Sequence, residues 1–167
     1  MTTSEQIKTI KKKLKLLKKQ DSGLKVFGAA SHGYNLNPKM KKKDIKRFET
    51  NYGIKLPEGY RAFIAEIGDG GAGPYYGLEP LRHSTRKDLD HKAKSGYMHP
   101  SKPFPLTEAW NMQYEPDSRE EKKYFSDKWL RGLLRICNYG CGLSLNLVVN
   151  GSEYGHIWVD DRGNDGG

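Results

Sequence analysis

The stretch that most restricts the fold lies near the C-terminus: "GLLRICNYGCGLSLNLVVNGSEYGHIWVDDRG". Apolar and polar residues alternate in it, and turn formers interrupt them at short intervals, which is the pattern of successive β-strands. It predicts strands over residues 133–137, 143–149 and 154–159. "NYGCG" turns the first strand into the second. Asn150-Gly151 is the favoured two-residue hairpin signal and joins the second to the third. In the second strand Leu143, Leu145, Leu147 and Val149 alternate with Ser144, Asn146 and Val148, so one face is predicted to be buried.

Helical periodicity dominates upstream. In "NPKMKKKDIKRFETNYG", Ile45, Phe48 and Tyr52 form an apolar face. Asn37 suits the cap, Pro38 the first helical position, and Gly53 the stop. A second helix follows Pro57, with Glu58 in its first turn and Tyr60, Phe63, Ile64 and Ile67 at i, i+3, i+4, i+7. Gly68 is expected to end it. At the N-terminus, "SEQIKTIKKKLKLLKK" predicts an amphipathic basic helix over residues 1–20, with Ser4 as cap and Ile7, Ile10, Leu14 and Leu17 as its apolar face. Residues 21–38 read as a linker, with a short extended piece near Val26 and Phe27.

Charge is unevenly spread. Residues 1–50 hold 14 Lys+Arg against 4 Asp+Glu, whereas the other 117 hold 15 against 16. The formal net charge of +9 therefore belongs to the N-terminal arm. Its basic row is Lys8, Lys11, Lys12, Lys15, Lys18 and Lys19. Such a block is an electrostatic footprint for nucleic acid or for acidic surfaces. The helix holds no aromatic residue for base stacking, which favours a solvated face over nucleic-acid binding.

Residues 82–130 carry weaker patterns. "STRKDLDHKAKSG" suggests a polar helix. "HPSKPFPLTEAWN" suggests irregular chain anchored by Phe104, Leu106 and Trp110. "SREEKKYFSDKWL" suggests a short helix with Tyr124, Phe125 and Trp129 inward. His83, His91 and His99 lack metal-ligand spacing and read as surface residues.

A chain of 167 residues with eighteen aromatic rings is large enough for one packed domain and too apolar in its anchors for wholesale disorder. No apolar run approaches the ~20 residues of a membrane span, and the N-terminus lacks the apolar core of a secretory signal. A cytoplasmic location with no membrane association is the simplest expectation. The two cysteines, Cys137 and Cys141, are too few for a disulfide framework and lack the further ligands of a zinc site.

"GDGGAG", residues 68–73, matches G-x-G-x-x-G, but a helix precedes it and Pro74, Tyr75 and Tyr76 follow. The dinucleotide motif needs the opposite order, strand before and helix after, so the segment reads as a helix end running into a tight exposed loop. "DDRGNDGG" is acidic and glycine-rich but breaks the calcium-loop pattern at Arg162 and Gly163. No serine-nucleophile elbow and no H-E-x-x-H is present. A pairing of Cys137 or Cys141 with His156 across neighbouring strands is the sole Cys–His arrangement, and ordinary strand residues are the expected reading. No cofactor, metal or enzymatic activity is therefore expected.

Two blocks together resemble the SUKH superfamily, known also through the Smi/Knr cell-wall regulators of fungi. The first is a helix, Leu-Pro, Tyr-x-x-Phe and a Gly-rich Pro/Gly-Leu run, carried by Leu56, Pro57, Tyr60, Phe63, Gly68, Gly70, Gly71, Gly73, Pro74, Gly77 and Leu78. The second is a strand–Gly–strand–Asn-Gly–strand series ending in Trp-x-Asp, carried by Gly140, Gly142, Gly151, Gly155, Trp158 and Asp160. The resemblance implies an α+β domain over residues 39–167, with helices packed on a mainly antiparallel sheet. It implies function by binding, as an immunity protein that neutralises a cognate protein toxin, many such toxins being nucleases. Regulation, or nucleic-acid binding through the lysine arm, is the alternative.

Family domains continue past Trp-x-Asp into further sheet and a final helix, so this chain is expected to lack its last elements and to expose a sheet edge. Inhibitors of basic nucleases tend to be acidic, and this chain is basic. Either the near-neutral portion makes the contact, or the target is not a basic nuclease. The expected toxin-binding residues are Asp69, Tyr75, Tyr76, Glu79, Asp160 and Asp161.

Overall fold

The computed structural model describes residues 2–87 and 96–167. The expected polar helix in "STRKDLDHKAKSG" falls mostly on residues outside this range, as does His91. The elements are helices α1 (Thr3–Gln20), α2 (Ala29–His32), α3 (Lys42–Tyr52), α4 (Glu58–Glu66) and α5 (Arg119–Tyr124), and strands β1 (Leu133–Gly140), β2 (Leu143–Val148) and β3 (Ile157–Asp160). The strands form one antiparallel sheet in the order β1-β2-β3. The fold is α+β.

Helix α1 starts earlier than Ser4. Thr2 caps it, and Glu5 returns the bond, its carboxylate accepting the Thr2 N–H at 2.7 Å. This capping box satisfies two end donors at once, which a Ser4 cap cannot do with Ile7 in the third helical position. Ile7 is buried and α1 lies against α4.

Helix α3 starts at Lys42 and not at Pro38. Residues 37–40 stay extended because their amides have better partners. Asn37 donates its N–H to the Gly70 carbonyl at 3.0 Å, and Met40 donates to Ile64 at 2.9 Å. Gly53 ends α3 with φ +62, as its position predicts. Glu49 clamps the α3–α4 connection: its carboxylate accepts the Leu56 N–H at 3.0 Å and faces Arg61 at 3.3 Å. Helix α4 ends at Glu66, two residues before Gly68.

The strand boundaries shift from expectation, and so do the turns. Strand β1 runs through Gly140, and the tight turn is Cys141-Gly142, with φ +51 and +85. Two positive φ values between the paired residues Gly140 and Leu143 make a type I′ geometry, which matches the strand twist. Asn150-Gly151 is not a tight hairpin, because β2 ends at Val148 and β3 begins only at Ile157. Asn150 is instead occupied by residues 101–104: its side chain donates to Ser101 O at 2.7 Å, and its carbonyl accepts from Phe104 at 2.9 Å.

The sheet is buried on both faces. On one side Ile45, Ile64 and Leu81 pack against Leu134, Leu147 and Val149. On the other, Met98 and Phe104 cover Leu133 and Val148, with Trp158 edge-on to Phe104 at 4.9 Å between centroids. The supposedly outward residues of β2 are therefore enclosed: Asn146 is 1% exposed and Val148 0%. Asn146 answers its burial by donating to Ser144 Oγ at 3.0 Å. Strand β3 pairs on one side only, with Ile157 and Val159 exposed.

Beyond β1 the sheet continues as single bridges. Leu78 pairs with Cys137, Gly71 with Leu78, and Leu36 with Gly71. With Cys137–Leu145 and Leu145–Val159, one ladder of backbone pairs crosses the molecule from Leu36 to Val159. The Gly-rich segment is thus a continuation of the sheet, and residues 35–37 form its far edge.

Candidate functional site

After α4 the chain must reverse and return to the edge of β1 within a dozen residues. Glycines make this possible. Gly71 sits at φ +91, where a Cβ would lie 2.5 Å from the Asn35 carbonyl oxygen. Gly68 donates to Phe63 O, Asp69 to Pro38 O, Gly71 to Leu78 O and Ala72 to Asn35 O. A phosphate cradle needs such amides turned toward a ligand. Here they are consumed in holding the loop to its neighbours.

The tip of the loop, 74–77, closes with a Gly77 N–H to Pro74 O bond of 2.9 Å. Tyr75 sits there at φ +52, a conformation side-chain-bearing residues seldom adopt. Its ring is held against Tyr139 from the end of β1, centroids 3.6 Å apart. Tyr76 packs edge-on to Phe27 at 5.4 Å, and its ring lies over Gly140, where a Cβ would come within 2.6 Å of it. Phe27 also meets Tyr75 and Tyr139, each at 6.4 Å. Four rings from three separate segments thus form one surface cluster, each contact contributing about 0.5–1.5 kcal/mol beyond area. Phe27 remains 60% exposed, Val26 55% and Tyr76 42%.

Beside the cluster runs an apolar groove of about 420 Å³ between α1 and the loop, walled by Leu14, Leu17, Phe27, Ala72 and Tyr75, with Lys13 on its α1 side. A second depression shares Leu14 and Tyr34 with it and is lined by Lys11, Lys12, Lys15 and Lys18. Lys18 donates to Asn35 Oδ1 at 2.8 Å. Among the described residues no lysine of α1 forms an ion pair.

The six expected contact residues separate into two groups. Tyr75 and Tyr76 come together at the loop tip. The four acids are engaged by partners within the domain. Asp69 accepts the Leu81 N–H at 2.8 Å, and burial, outweighing that bond and Arg82, holds its carboxyl above the usual aspartate range. Glu79 lies 3.8 Å from His83. Burial pushes the Tyr60 hydroxyl far up, with Asp69 and Glu79 adding to the effect. Asp160 makes a two-pronged pair with Arg162, both bonds at 2.8 Å. Arg162 in turn donates to the carbonyls of Tyr124 and Ser126. Asp161 organises the final turn: its side chain accepts from Asn164 at 2.7 Å and its carbonyl from Gly166 at 3.0 Å.

Phe27 and Tyr139 are contact candidates that the sequence reading missed. Phe27 stood in a run of small residues as an isolated large ring, and that contrast was the available signal. Tyr139 was hidden in a segment read as a turn.

The Cys–His pairing is not formed. His156 binds Glu153 at 2.7 Å beyond one end of β2, and Cys141 lies in the turn at the other. Cys137 is fully buried, and burial, with Glu79 adding, pushes its thiol up to about 11. Among the described residues no three His, Cys, Asp or Glu side chains gather in a way that could hold a metal ion. No helix among them is long and apolar enough to cross a membrane.

Two helices joined through Leu-Pro, a glycine loop tied to a sheet edge and a three-stranded meander define an α+β domain of the SUKH type. The chain belongs to the SMI1 / KNR4 family (SUKH-1), whose family model matches residues 39–166. No curated protein and no solved structure matches the chain.

Proposed function

We propose that this protein is an immunity protein, acting in the cytoplasm by binding a cognate toxin protein and occluding it. The observation that carries the reading is the exposed ring cluster of Phe27, Tyr75, Tyr76 and Tyr139, held on a loop whose path is locked by main-chain bonds. Rigid aromatic side chains give contact area at low entropic cost, and a loop on a fixed scaffold is where partner contacts concentrate. Membership of the SUKH-1 family supports the toxin as partner. This reading is one of binding and not of catalysis: Cys137 is buried, His156 is paired with Glu153, and the exposed Cys141 stands at the opposite end of β2 from His156.

The test is protection in cells. The genes that flank this one are searched for a large toxin, which is expressed with and without the intact protein while growth is followed. Wild type is expected to restore growth, and Tyr76→Ala and Phe27→Ala to lose protection while staying folded, their melting temperatures lowered by no more than the lost ring contacts require. Undiminished protection by both variants would remove the ring cluster from the interface.

One observation favours a second reading. The unpaired lysine row of α1 suits a polyanion, as in a regulatory or nucleic-acid-binding module. Binding of that kind weakens steeply with salt and is abolished by deleting residues 1–20.

A further inference from the structure

We propose that the partner segment seated in the groove between α1 and the glycine loop is apolar at its centre and acidic at its flanks. This rests on the protein-binding reading above and adds the chemistry of the partner.

The floor and walls come first. Leu14, Leu17, Phe27, Ala72 and Tyr75 enclose a space of about 420 Å³, enough for one or two large side chains. Phe27 and Val26 stand on its rim more than half exposed. A flat bilayer would touch that rim and leave the floor empty, whereas a protruding Leu, Phe or Trp fills it. A nucleic acid would place polar sugar and phosphate against Leu14, Leu17 and Ala72, which offer no side-chain donors.

The flanks follow from charge. Lys13 stands on the groove wall, and Lys11, Lys12, Lys15 and Lys18 line the depression on the far side of Leu14. Within α1 the sole acid is Glu5, engaged in the cap at the opposite end. Asp21, the residue that follows α1, is already engaged: it accepts from the Tyr34 hydroxyl at 2.7 Å and from the amides of Lys25 and Val26. These lysines repel one another along one helix, so a partner carrying Asp or Glu beside its apolar knob gains on both counts. Like charge on the partner would be rejected at the same place.

The test uses the intact protein and a random twelve-residue peptide display library, so it needs no toxin. The expected result is enrichment of peptides that combine Leu, Phe or Trp with Asp or Glu. A synthetic copy of an enriched peptide should bind Phe27→Glu and Val26→Glu about tenfold more weakly than wild type, and should weaken with salt. Its Glu-to-Lys counterpart should not bind. Both substituted positions are exposed, and each variant is checked for an unchanged melting temperature.

Three outcomes would overturn the proposal: no enrichment, enrichment of basic or uncharged peptides, or binding indifferent to both groove variants. Binding of phosphatidylcholine vesicles with a quarter phosphatidylglycerol, or of a single-stranded oligonucleotide, abolished by Phe27→Glu in the absence of enriched peptides, would overturn it as well. Acidic apolar peptides enriched alongside failed toxin protection would support the groove chemistry and remove the toxin. Protection that requires Phe27, together with basic peptides, would remove the acidic partner alone.

Discussion

Gly71 and Leu78 bond to each other twice, Gly71 N–H to Leu78 O at 2.8 Å and Leu78 N–H to Gly71 O at 2.7 Å. This reciprocal pair closes the loop that carries Tyr75 and Tyr76, and Leu78 passes the pairing on to Cys137 of β1. The loop's position therefore depends on backbone geometry at a residue that must be glycine.

Gly71→Ala should destabilise the fold by roughly 3 kcal/mol, from strain at positive φ and from the approach to Asn35 O. Gly59→Ala is the matched control. It lies in α4 with nothing within 4 Å of the added carbon, so it should be neutral or stabilising by up to about 1 kcal/mol. Urea unfolding of the two variants reads the difference directly.

Arg162→Ala should cost about 3 kcal/mol, the low end for breaking a buried pair, because Asp160 keeps some contact with water. It also leaves the carbonyls of Tyr124 and Ser126 without their donor. A fall in melting temperature of roughly 6–12 °C is expected for a domain of this size. Arg162→Lys should recover little, since one ammonium does not reproduce the two-pronged contact.

Asp69 predicts a pH dependence with a definite sign. Its carboxyl is held above the ordinary value, so the folded state binds the proton more tightly than the unfolded chain does. Its contribution is fully present below about pH 4 and is lost as pH rises through the folded-state value. Asp69→Asn keeps an acceptor for the Leu81 amide and has no charge to bury. Its stability relative to wild type should therefore rise between pH 4 and neutrality, as measured by denaturant unfolding at the two ends.

The thiols should separate cleanly. Cys141 is exposed, while Cys137 is enclosed with its thiol raised to about 11. Ellman's reagent at pH 8 should titrate one thiol rapidly and the second only on unfolding. Cys141→Ser should abolish the fast phase. Two fast thiols would mean that the ladder beside Leu78 opens readily.

Periodicity made the helices and the sheet legible. Ile45, Ile64, Leu134 and Leu147 recur at the intervals their elements need, and they meet in one core. Turn chemistry was harder to read. Asn150-Gly151 carries the stronger local signal, yet Ser101 and Phe104 claim Asn150, while the unpromising Cys141-Gly142 makes the tight turn. The second buried face of the sheet was not legible. Met98 and Phe104 come from a proline-rich stretch without periodicity, and nothing local says that they cover Val148.

The candidate surface was half legible. Tyr75 and Tyr76 stood out beside the glycines, whereas their meeting with Phe27 and Tyr139 is a long-range event that spacing cannot encode. The acids drew notice through their charge. Their commitment to Leu81, Arg162 and the last turn depends on tertiary partners.

The ladder from Leu36 to Val159 crosses the glycine segment through main-chain atoms, while the exposed rings of Tyr76 and Phe27 take no part in it. On the proposed reading, fold and recognition are written in separate alphabets, one of peptide groups and one of side chains. A descendant could trade these rings for others and meet a changed adversary while its architecture stayed as it was.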